Sequence, residues 1–321
     1  MRVIRDLTGY HPSPYPVATI GNFDGQHRGH QALLCTVVER ARAAGGHAVV
    51  ITFDPHPVRI LAPDGPLKFL TSPEEKLSAF VSTGIDEVIF LKFSPALAEL
   101  TPEAFVRNIL VDKLSLRELF VGEHFAFGKG RTGRIADLQR LGDRYGFSVH
   151  PMKPVLREGG IISSTKVRSA ILAGQMELAT EYLGRLYALE GLVVRGEQRG
   201  RTLGWPTANI ALPPDRVVPP DGVYGALTVH GSQVFDSVAY IGTRPTFETK
   251  GKRMLEVYLL NEQRTLYGER ITVEFVSHLR GDMAFPNPDE LSRQIQLDVQ
   301  QAEACLRALR PELRTRAEKP A

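Results

Sequence analysis

Two histidines, three glycines and an aspartate lie close together in the sequence GNFDGQHRGH, residues 21–30. This segment follows a short β-branched run, Val17–Ile20, and helical spacing continues after it as far as Arg42. In an open α/β sheet, ligands bind outside the carboxyl ends of the strands, where helix N-termini attract phosphate. His27 and His30 are three residues apart and would share one helix face. The segment therefore predicts a nucleotide site, with a polar helix start and one buried histidine as the alternative.

A second predicted helix start carries three hydroxyls, at Ser163, Ser164 and Thr165, followed by the cations Lys166 and Arg168. An ordinary helix cap needs one hydroxyl, so this set favours an anion site. Together with the two histidines, it indicates adenylyl transfer, in which the nucleophile attacks the α-phosphorus in line and the protein supplies position and positive charge. A zinc site is less favoured, because the histidine spacing differs from HExxH and no third ligand is evident.

A glycine-rich loop resembles two nucleotide motifs without matching either in full. Residues 128–133 fit GxGxxG, but no acidic residue stands at the required distance, and the spacing of residues 122–129 is wrong for a phosphate-binding Walker loop. The loop carries cations that would follow a polyphosphate and aromatic rings that would stack on a flat ligand. These residues are Lys129, Arg131, Arg134, Phe125 and Phe127. A solvated surface loop is the alternative.

The densest polar stretch of the second half is RGRTLGWPTANI, residues 199–210. Its glycines make the backbone pliable, its arginines offer positive charge, and Thr207 and Asn209 supply neutral oxygens of the kind that Mg²⁺ accepts beside phosphate. Turn chemistry alone would explain the glycines and the proline. Glu256 lies on the open face of a predicted strand, Met254–Leu260. A kinase needs a positioned base to transfer phosphate to a hydroxyl, and Glu256 is the candidate in this half. Most such glutamates are merely solvated, so both interpretations stay open.

The order of elements predicts two domains, 1–184 and 185–321, in an α/β chain. The first half alternates strands and helices, which favours a mainly parallel sheet covered on both faces. From about Leu186, runs with period-two alternation favour an antiparallel barrel or sandwich, followed by one long helix, Asp289–Leu309.

Composition excludes several classes of protein. The chain has 321 residues, 43% hydrophobic and 23% charged, and no apolar run approaches a membrane span. The N-terminus lacks a secretory pattern, and two lone cysteines make neither a disulfide framework nor a metal cluster, so we expect a cytoplasmic protein. A net charge of +3 argues against a large nucleic-acid surface and hence against a tRNA-charging enzyme, which histidine and SSTK motifs would otherwise permit.

Taken together, the motifs resemble those of the bacterial bifunctional riboflavin kinase and FMN adenylyltransferase family. The first half has GNFDGQHRGH, TFDPHP, FGKGRTG and ISSTKVR in order, and the second has GRTLGWPTANI, PPDGVYGA, IGTRPTF and LEVYLL. The resemblance implies a Rossmann-like nucleotidyltransferase domain with a parallel sheet, and a riboflavin kinase-like antiparallel barrel with a long C-terminal helix. It implies that the second domain phosphorylates riboflavin to FMN with ATP and that the first adenylylates FMN to FAD. An adenylyltransferase whose second domain only binds flavin is the alternative.

The resemblance also assigns residues and ligands. ATP in the adenylyltransferase would contact Gly21, Asn22, Phe23, Asp24, His27, His30, Ser163, Ser164, Thr165 and Arg168. Flavin there would contact Phe53, Pro55, Pro57, His124, Phe125, Phe127 and Arg131. Mg-ATP in the kinase would contact Gly200, Arg201, Thr202, Thr207 and Asn209, the last two holding Mg²⁺. Catalysis would rest on Glu256, His27, His30 and Arg168. We expect ATP, riboflavin and FMN as the only partners, no membrane or nucleic acid, and a monomer or weak homo-oligomer.

The sequence departs from the family pattern at a few positions. His124 stands where the family commonly has Asp or Asn, and Tyr240 replaces a common Asn. Tyr258 and Asn261 replace the common His and Asp after the glutamate, and Trp205 replaces a common Phe. None of these changes removes Thr207, Asn209 or Glu256, so the resemblance implies altered affinities rather than a lost kinase.

Overall fold

The chain divides into two compact units in a computed structural model, which describes residues 1–157, 160–196, 204–243, 253–262, 264–309, 311 and 313. The first unit comprises Met1–Leu67 and Thr71–Ser163, and the second comprises Lys68–Leu70 and Ser164–Ala321. Each unit has its own sheet and its own buried apolar core.

The first unit is built on a six-stranded parallel sheet of order β1-β4-β3-β2-β5-β6. Its strands are β1 (Arg2–Ile4), β2 (Pro16–Ile20), β3 (His47–Asp54), β4 (Glu87–Lys92), β5 (Glu118–Gly122) and β6 (Ser148–Met152), and a small hairpin adds β7 (Leu156–Arg157) and β8 (Gly160–Ile161). Its helices are α1 (Arg28–Ala43), α2 (Pro57–Leu61), α3 (Pro73–Ser82), α4 (Pro95–Ala98), α5 (Pro102–Phe105) and α6 (Ile135–Tyr145).

Burial on both faces explains the near-continuous apolar character of the central strands. Every residue of β2 is buried, and so are five consecutive residues of β3. Helices on the two faces bury two separate apolar clusters, one around Phe105 and Leu110 and one around Phe23 and Phe80. A parallel sheet of this kind places the turns that follow β2 and β3 at one edge, where ligands bind in α/β proteins.

The second unit is a closed antiparallel barrel of order β10-β13-β12-β11-β14-β9, with helices before and after it. Its elements are α7 (Ser164–Leu172), α8 (Met176–Leu183), β9 (Tyr187–Val194), β10 (Ala208–Ile210), β11 (Gly222–His230), β12 (Gln233–Thr243), β13 (Arg253–Leu259), β14 (Arg270–Gly281) and α9 (Pro288–Arg307). Ala302 and Leu306 of α9 pack in an apolar cluster with Val223 and Leu227 of β11. The helix thus covers part of the outer surface of the barrel.

The predicted fold class is confirmed, including the parallel sheet, the antiparallel barrel and the long final helix. Three-residue strands such as β1 and β10 carry too little pattern to be predicted, and the helix beginning at Pro102 changes to π-helical geometry over Val106–Val111. No helix among the described residues has both the length and the apolar character that crossing a membrane requires. The domain boundary after residue 184 stays a prediction.

Glu274 on β14 should make the stability of the barrel depend on pH. Burial raises the pKa of this carboxyl to about 7, against the opposing effect of Arg185. Since the folded-state pKa lies above the ordinary value, the folded state holds the proton more tightly, and stability falls as pH rises from about 4.5 to 7. Between pH 5 and pH 8, the free energy of unfolding of the wild-type protein in urea should fall by roughly 3 kcal/mol, and we expect Glu274→Gln not to show this fall. An equal pH dependence in both proteins would contradict this expectation.

Candidate active sites

The turn between β2 and α1 is held in an unusual backbone conformation by its neighbour in the fold. Phe23, Gly25 and Gln26 all have positive φ angles, of 50°, 79° and 39°. Asp24 is only 3% exposed, and its Oδ1 accepts hydrogen bonds from the amide and the hydroxyl of Thr71, each at 3.2 Å. The Thr71 hydroxyl in turn accepts from the Gly25 amide at 3.1 Å. We call this set of bonds the Asp24–Thr71 clasp, and it fixes the turn at the carboxyl edge of the sheet.

The clasp should be worth a measurable part of the stability of the first unit. Thr71→Val keeps the shape of the side chain but removes the hydroxyl that donates to the buried Asp24 carboxylate and accepts from the Gly25 amide, which costs about 1–3 kcal/mol. We expect that loss in the free energy of unfolding measured with denaturant. Thr71→Ser keeps the hydroxyl and is the matched control. Equal stability of all three proteins would show that the clasp does not hold the turn.

The two predicted histidines come together as a stacked pair. Their ring centroids are 3.8 Å apart at an interplanar angle of 18°. His27 caps α1, and its Nδ1 accepts a hydrogen bond from the His30 amide at 3.4 Å. Since Nδ1 accepts, the neutral His27 ring carries its proton on Nε2 and can donate from there. Gly29 gives the pair room, because a Cβ at this position would lie 3.2 Å from the His27 ring, closer than an ordinary van der Waals contact.

His30 is half-buried, whereas His27 is only 6% exposed. His30 Nδ1 has no hydrogen-bond partner among the described residues, and Phe23 packs edge-on against the His30 ring at 5.2 Å. Burial, together with His27 and Lys76, lowers the pKa of His30 well below its ordinary value. The imidazole is therefore neutral near pH 7 and offers hydrogen bonds rather than a full charge. Phe23, predicted to contact ATP, is buried and instead supports the His30 ring.

Lys76 is a buried cation that the sequence patterns did not single out. It lies on α3, four residues before the buried Phe80, and it is only 8% exposed. A lysine on the apolar face of an amphipathic helix was the signal that could have found it. Its amine makes no hydrogen bond or ion pair with any residue that the structure describes. Burial lowers the pKa of Lys76, while Asp24 and Asp54 act in the opposite direction.

The predicted hydroxyl cluster is divided in sequence, since Ser163 ends the first unit and Ser164 belongs to the second. The Ile162 carbonyl, next to Ser163, lies 3.9 Å from where a Cβ on Gly29 would stand. The last residues of the first unit therefore approach the segment of residues 21–30 that carries His27 and His30, which we call the histidine turn. Ser164 and Thr165 open α7 in the second unit. Arg168 on the same helix donates through Nε to the Lys68 carbonyl at 2.9 Å.

The two aromatic rings of the glycine-rich loop lie in different environments. Phe125 and Phe127 stack with centroids 5.7 Å apart, but Phe127 is buried against Phe105, and a Cβ on Gly133 would collide with it. Phe127 therefore supports the loop, whereas Phe125 lines a cleft of about 380 Å³ together with Glu123, His124, Arg134, Ile135 and Ala136. Arg131 is exposed with a φ of 57°.

The TFDPHP segment lies at the end of β3 and the start of α2. Phe53 packs edge-on against Phe93, with ring centroids 5.6 Å apart. Pro55 and Pro57 follow, the second as the first residue of α2, where a missing amide hydrogen costs nothing. Gly21 and Asn22 stand at the same edge of the sheet, and the Gly21 amide donates to the Ile51 carbonyl at 3.0 Å. These residues are neighbours of the histidine turn in the first unit.

The barrel brings together the predicted base and its neighbours. The Thr207 hydroxyl donates to Glu256 Oε2 at 3.1 Å, and Asn209, 3% exposed, is directly opposite Glu256 in the β10–β13 register. Tyr240 is opposite Glu256 on the other side, in the β12–β13 register. The Tyr240 hydroxyl donates to Asp282 at 3.0 Å, and burial raises its pKa above the ordinary value. Gly200, Arg201 and Thr202 lie outside the described residues.

Two protein-family models match this chain, one in each half. A model described as FAD synthetase matches residues 12–166, and one described as riboflavin kinase matches residues 183–306. Two curated relatives are named bifunctional riboflavin kinase/FMN adenylyltransferase. The one from Escherichia coli strain K12 is 38% identical over 93% of this chain and 96% of its own length. The one from Pseudomonas fluorescens is 39% identical over 95% of this chain and 97% of its own length. A Streptococcus pneumoniae crystal structure described as a macrolide-efflux protein is 30% identical, covers 94% of this chain and 98% of its own, and has a TM-score of 0.85.

Proposed function

The chain belongs to the bifunctional riboflavin kinase/FMN adenylyltransferase family, and from that premise we propose how its own residues carry the two steps. The enzyme phosphorylates riboflavin to FMN and then joins AMP to FMN, giving FAD. The observation that carries this function is that two separate family models match two separate stretches, in the same order as in full-length bifunctional relatives. The same matches weigh against the alternative of an adenylyltransferase with a merely flavin-binding second half.

We propose that the kinase step uses Glu256 as its base. The carboxylate accepts the proton of the terminal ribityl hydroxyl as that oxygen attacks the γ-phosphorus of ATP, and ADP leaves with the electrons of the broken P–O bond. Thr207 holds the carboxylate in place through its hydrogen bond at 3.1 Å. Gly200, Arg201 and Thr202 keep the ATP-binding role that the family resemblance implies.

Mg²⁺ is the proposed cofactor of the kinase step. Hydroxyl and amide oxygens of Thr207 and Asn209 stand beside the Glu256 carboxylate, and such hard oxygen donors suit Mg²⁺ when ATP phosphates supply the other ligands. Among the described residues no cluster of three His, Cys, Asp or Glu side chains forms a protein-only metal site. The donor set therefore fits a magnesium ion that arrives with ATP, whose chemistry is to neutralise phosphate charge.

We propose that the adenylyl step runs at the histidine turn. A phosphate oxygen of FMN attacks the α-phosphorus of ATP, and pyrophosphate leaves with the bond electrons, so no proton transfer is needed at the reacting phosphorus. His27 Nε2 and the neutral His30 ring supply hydrogen bonds to the phosphates. Gly21, Asn22, Ser163, Ser164, Thr165 and Arg168 keep their proposed ATP-binding roles, while Asp24 and Phe23 act by holding the turn.

The flavin contacts of this step are proposed at Phe53, Pro55, Pro57, His124, Phe125 and Arg131. Phe125 and His124 both line the cleft of the glycine-rich loop, where a flat ring would stack and find a polar neighbour. Phe127, buried beneath Phe125, acts by supporting that ring. A cytoplasmic location, a monomer or weak homo-oligomer, and the lack of a nucleic-acid partner are further proposals, which light scattering and tRNA-binding assays would test.

The decisive experiment follows both products separately. The purified chain is incubated with riboflavin, ATP and Mg²⁺, and FMN and FAD are separated by chromatography. We expect FMN to rise first and FAD to follow, with one ADP released per FMN and one pyrophosphate per FAD. Formation of FAD from supplied FMN without any FMN from riboflavin would favour the single-activity alternative. Conversion of neither flavin by folded protein would contradict the proposal.

A further inference from the structure

Lys76 carries a buried positive charge, and no carboxylate among the residues that the structure describes lies within ion-pair distance of it. The side chain is 8% exposed, and no acceptor among the described residues lies within hydrogen-bonding or ion-pair distance of its amine. Transfer of an ammonium group from water into a protein interior is costly unless an anion pairs with it. A structural role in the ligand-free protein would be served better by an apolar side chain, so the charge itself needs an explanation.

The two carboxylates that act electrostatically on Lys76 already accept hydrogen bonds from other residues. Asp24 accepts the two hydrogen bonds of the clasp from Thr71, and Asp54 accepts from Arg5 at 2.9 Å. Both carboxylates act on Lys76 only at a distance. They follow β2 and end β3, so they place the Lys76 amine at the carboxyl edge of the parallel sheet. This is the edge that binds ligands in α/β folds.

A second unpartnered polar group lies near the lysine. His30 Nδ1 is buried and has no partner among the described residues, and Lys76 lies close enough to affect the charge of this imidazole. His30 belongs to the stacked pair that caps α1. Two buried nitrogens without a partner among the described residues suit a ligand rich in oxygens, and a polyphosphate meets that condition with its negative charge as well.

We propose that Lys76 is a phosphate-binding residue of the adenylyl step, which pairs with the triphosphate of ATP and with the pyrophosphate that leaves. The inference rests on the proposed function of the histidine turn and extends it to a residue outside the sequence motifs quoted for it. Lys76 donates hydrogen bonds and positive charge to phosphate oxygens as the bond between the α-phosphorus and its bridging oxygen breaks. No proton is transferred, and the negative charge that grows on pyrophosphate meets the buried ammonium.

The test compares three variants in both directions of the adenylyl reaction. Lys76→Met should lower kcat for FAD formation from FMN on the order of a hundredfold. It should also raise the KM for pyrophosphate at least tenfold in the reverse reaction, in which FAD and pyrophosphate give FMN and ATP. Lys76→Arg should recover part of both losses, since it restores the charge. Lys113→Met makes the same change at an exposed lysine of the first unit and should behave as wild type.

Thermal unfolding separates this role from a structural one. Because Lys76→Met removes an unpaired buried charge, its Tm without ligand should equal or exceed that of wild type, while the Tm increase caused by inorganic pyrophosphate should be lost. A lower Tm with an unchanged pyrophosphate response would overturn the inference. The inference would also be overturned if the wild-type protein formed FAD and Lys76→Met had the same kcat and KM values as wild type. That result would leave the proposed function unaffected. If wild type makes no FAD, the function fails, and the pyrophosphate response alone then decides for or against an anion site at Lys76.

Discussion

Replacing Glu256 with glutamine should slow FMN formation by on the order of a hundredfold or more, because the amide cannot accept the hydroxyl proton. Glutamine keeps the size of the side chain and an oxygen that can still accept from the Thr207 hydroxyl at 3.1 Å. The substitution therefore removes the base while leaving its surroundings intact. The measurement is the initial rate of FMN formation from riboflavin and ATP. FAD formation from supplied FMN should stay within about twofold, since that rate depends on the histidine turn.

The matched control for this variant is Glu262→Gln. Glu262 is an exposed glutamate shortly after the end of β13, and its loss should leave both rates unchanged. Kinase activity that survives in Glu256→Gln would remove Glu256 from the mechanism. Loss of both activities in that variant, with a lowered Tm, would point to a folding defect, and Glu256→Asp would then test whether a carboxylate at this place restores FMN formation.

His30→Ala should have the reverse effect and lower FAD formation from FMN by about a hundredfold to a thousandfold. The substitution removes one ring of the stacked pair and the hydrogen bonds that it offers to phosphate, while FMN formation depends on Glu256 in the second unit. Parallel assays with riboflavin and with FMN as substrate would measure the two rates. Equal loss of both activities would contradict the assignment of the steps to separate sites.

His47→Ala provides the control for the histidine substitution. His47 begins β3 at the opposite edge of the sheet, so its removal should not affect FAD formation. The lowered pKa of His30 gives a second check. Since the folded protein keeps this ring neutral, adenylyl transfer should show no loss from His30 protonation between pH 8 and pH 6.5. Stability, by contrast, should decrease as pH falls through about 6.5, because the unfolded chain then binds a proton that the folded chain does not.

Local patterns predicted the parts of the fold whose burial is regular. The apolar run of β3 and the period-two alternation of β13 each follow from which faces are covered, and the predicted strand Met254–Leu260 agrees with β13 within one residue at each end. Ser72, Pro73 and Glu75 form a local helix-start pattern, and Ser72 and Glu75 make the full reciprocal cap of α3. These features depend on neighbours a few residues away, which is why a single sequence contains them.

The sequence by itself determined which chemical groups the chain offers. His27 and His30 stand one helical turn apart, so their proximity follows from local geometry, and the alternation of β13 puts Glu256 on the face opposite to its buried neighbours. The motif order likewise predicted the two activities of the family. What each motif residue contacts did not follow, since Thr207 and Glu256 are 49 residues apart and meet only through the β10–β13 register.

Tertiary structure alone decided which side chains are free for a ligand. Asp24 and Phe127 look accessible in their motifs, yet Thr71 engages the first and Phe105 covers the second. Lys76 looks like an ordinary surface lysine, yet the packing of α3 buries it near His30, with no hydrogen-bond acceptor from the described part of the chain. The physical reason is that burial and hydrogen-bond satisfaction are set by residues distant in the chain, whereas residue type and spacing are fixed locally.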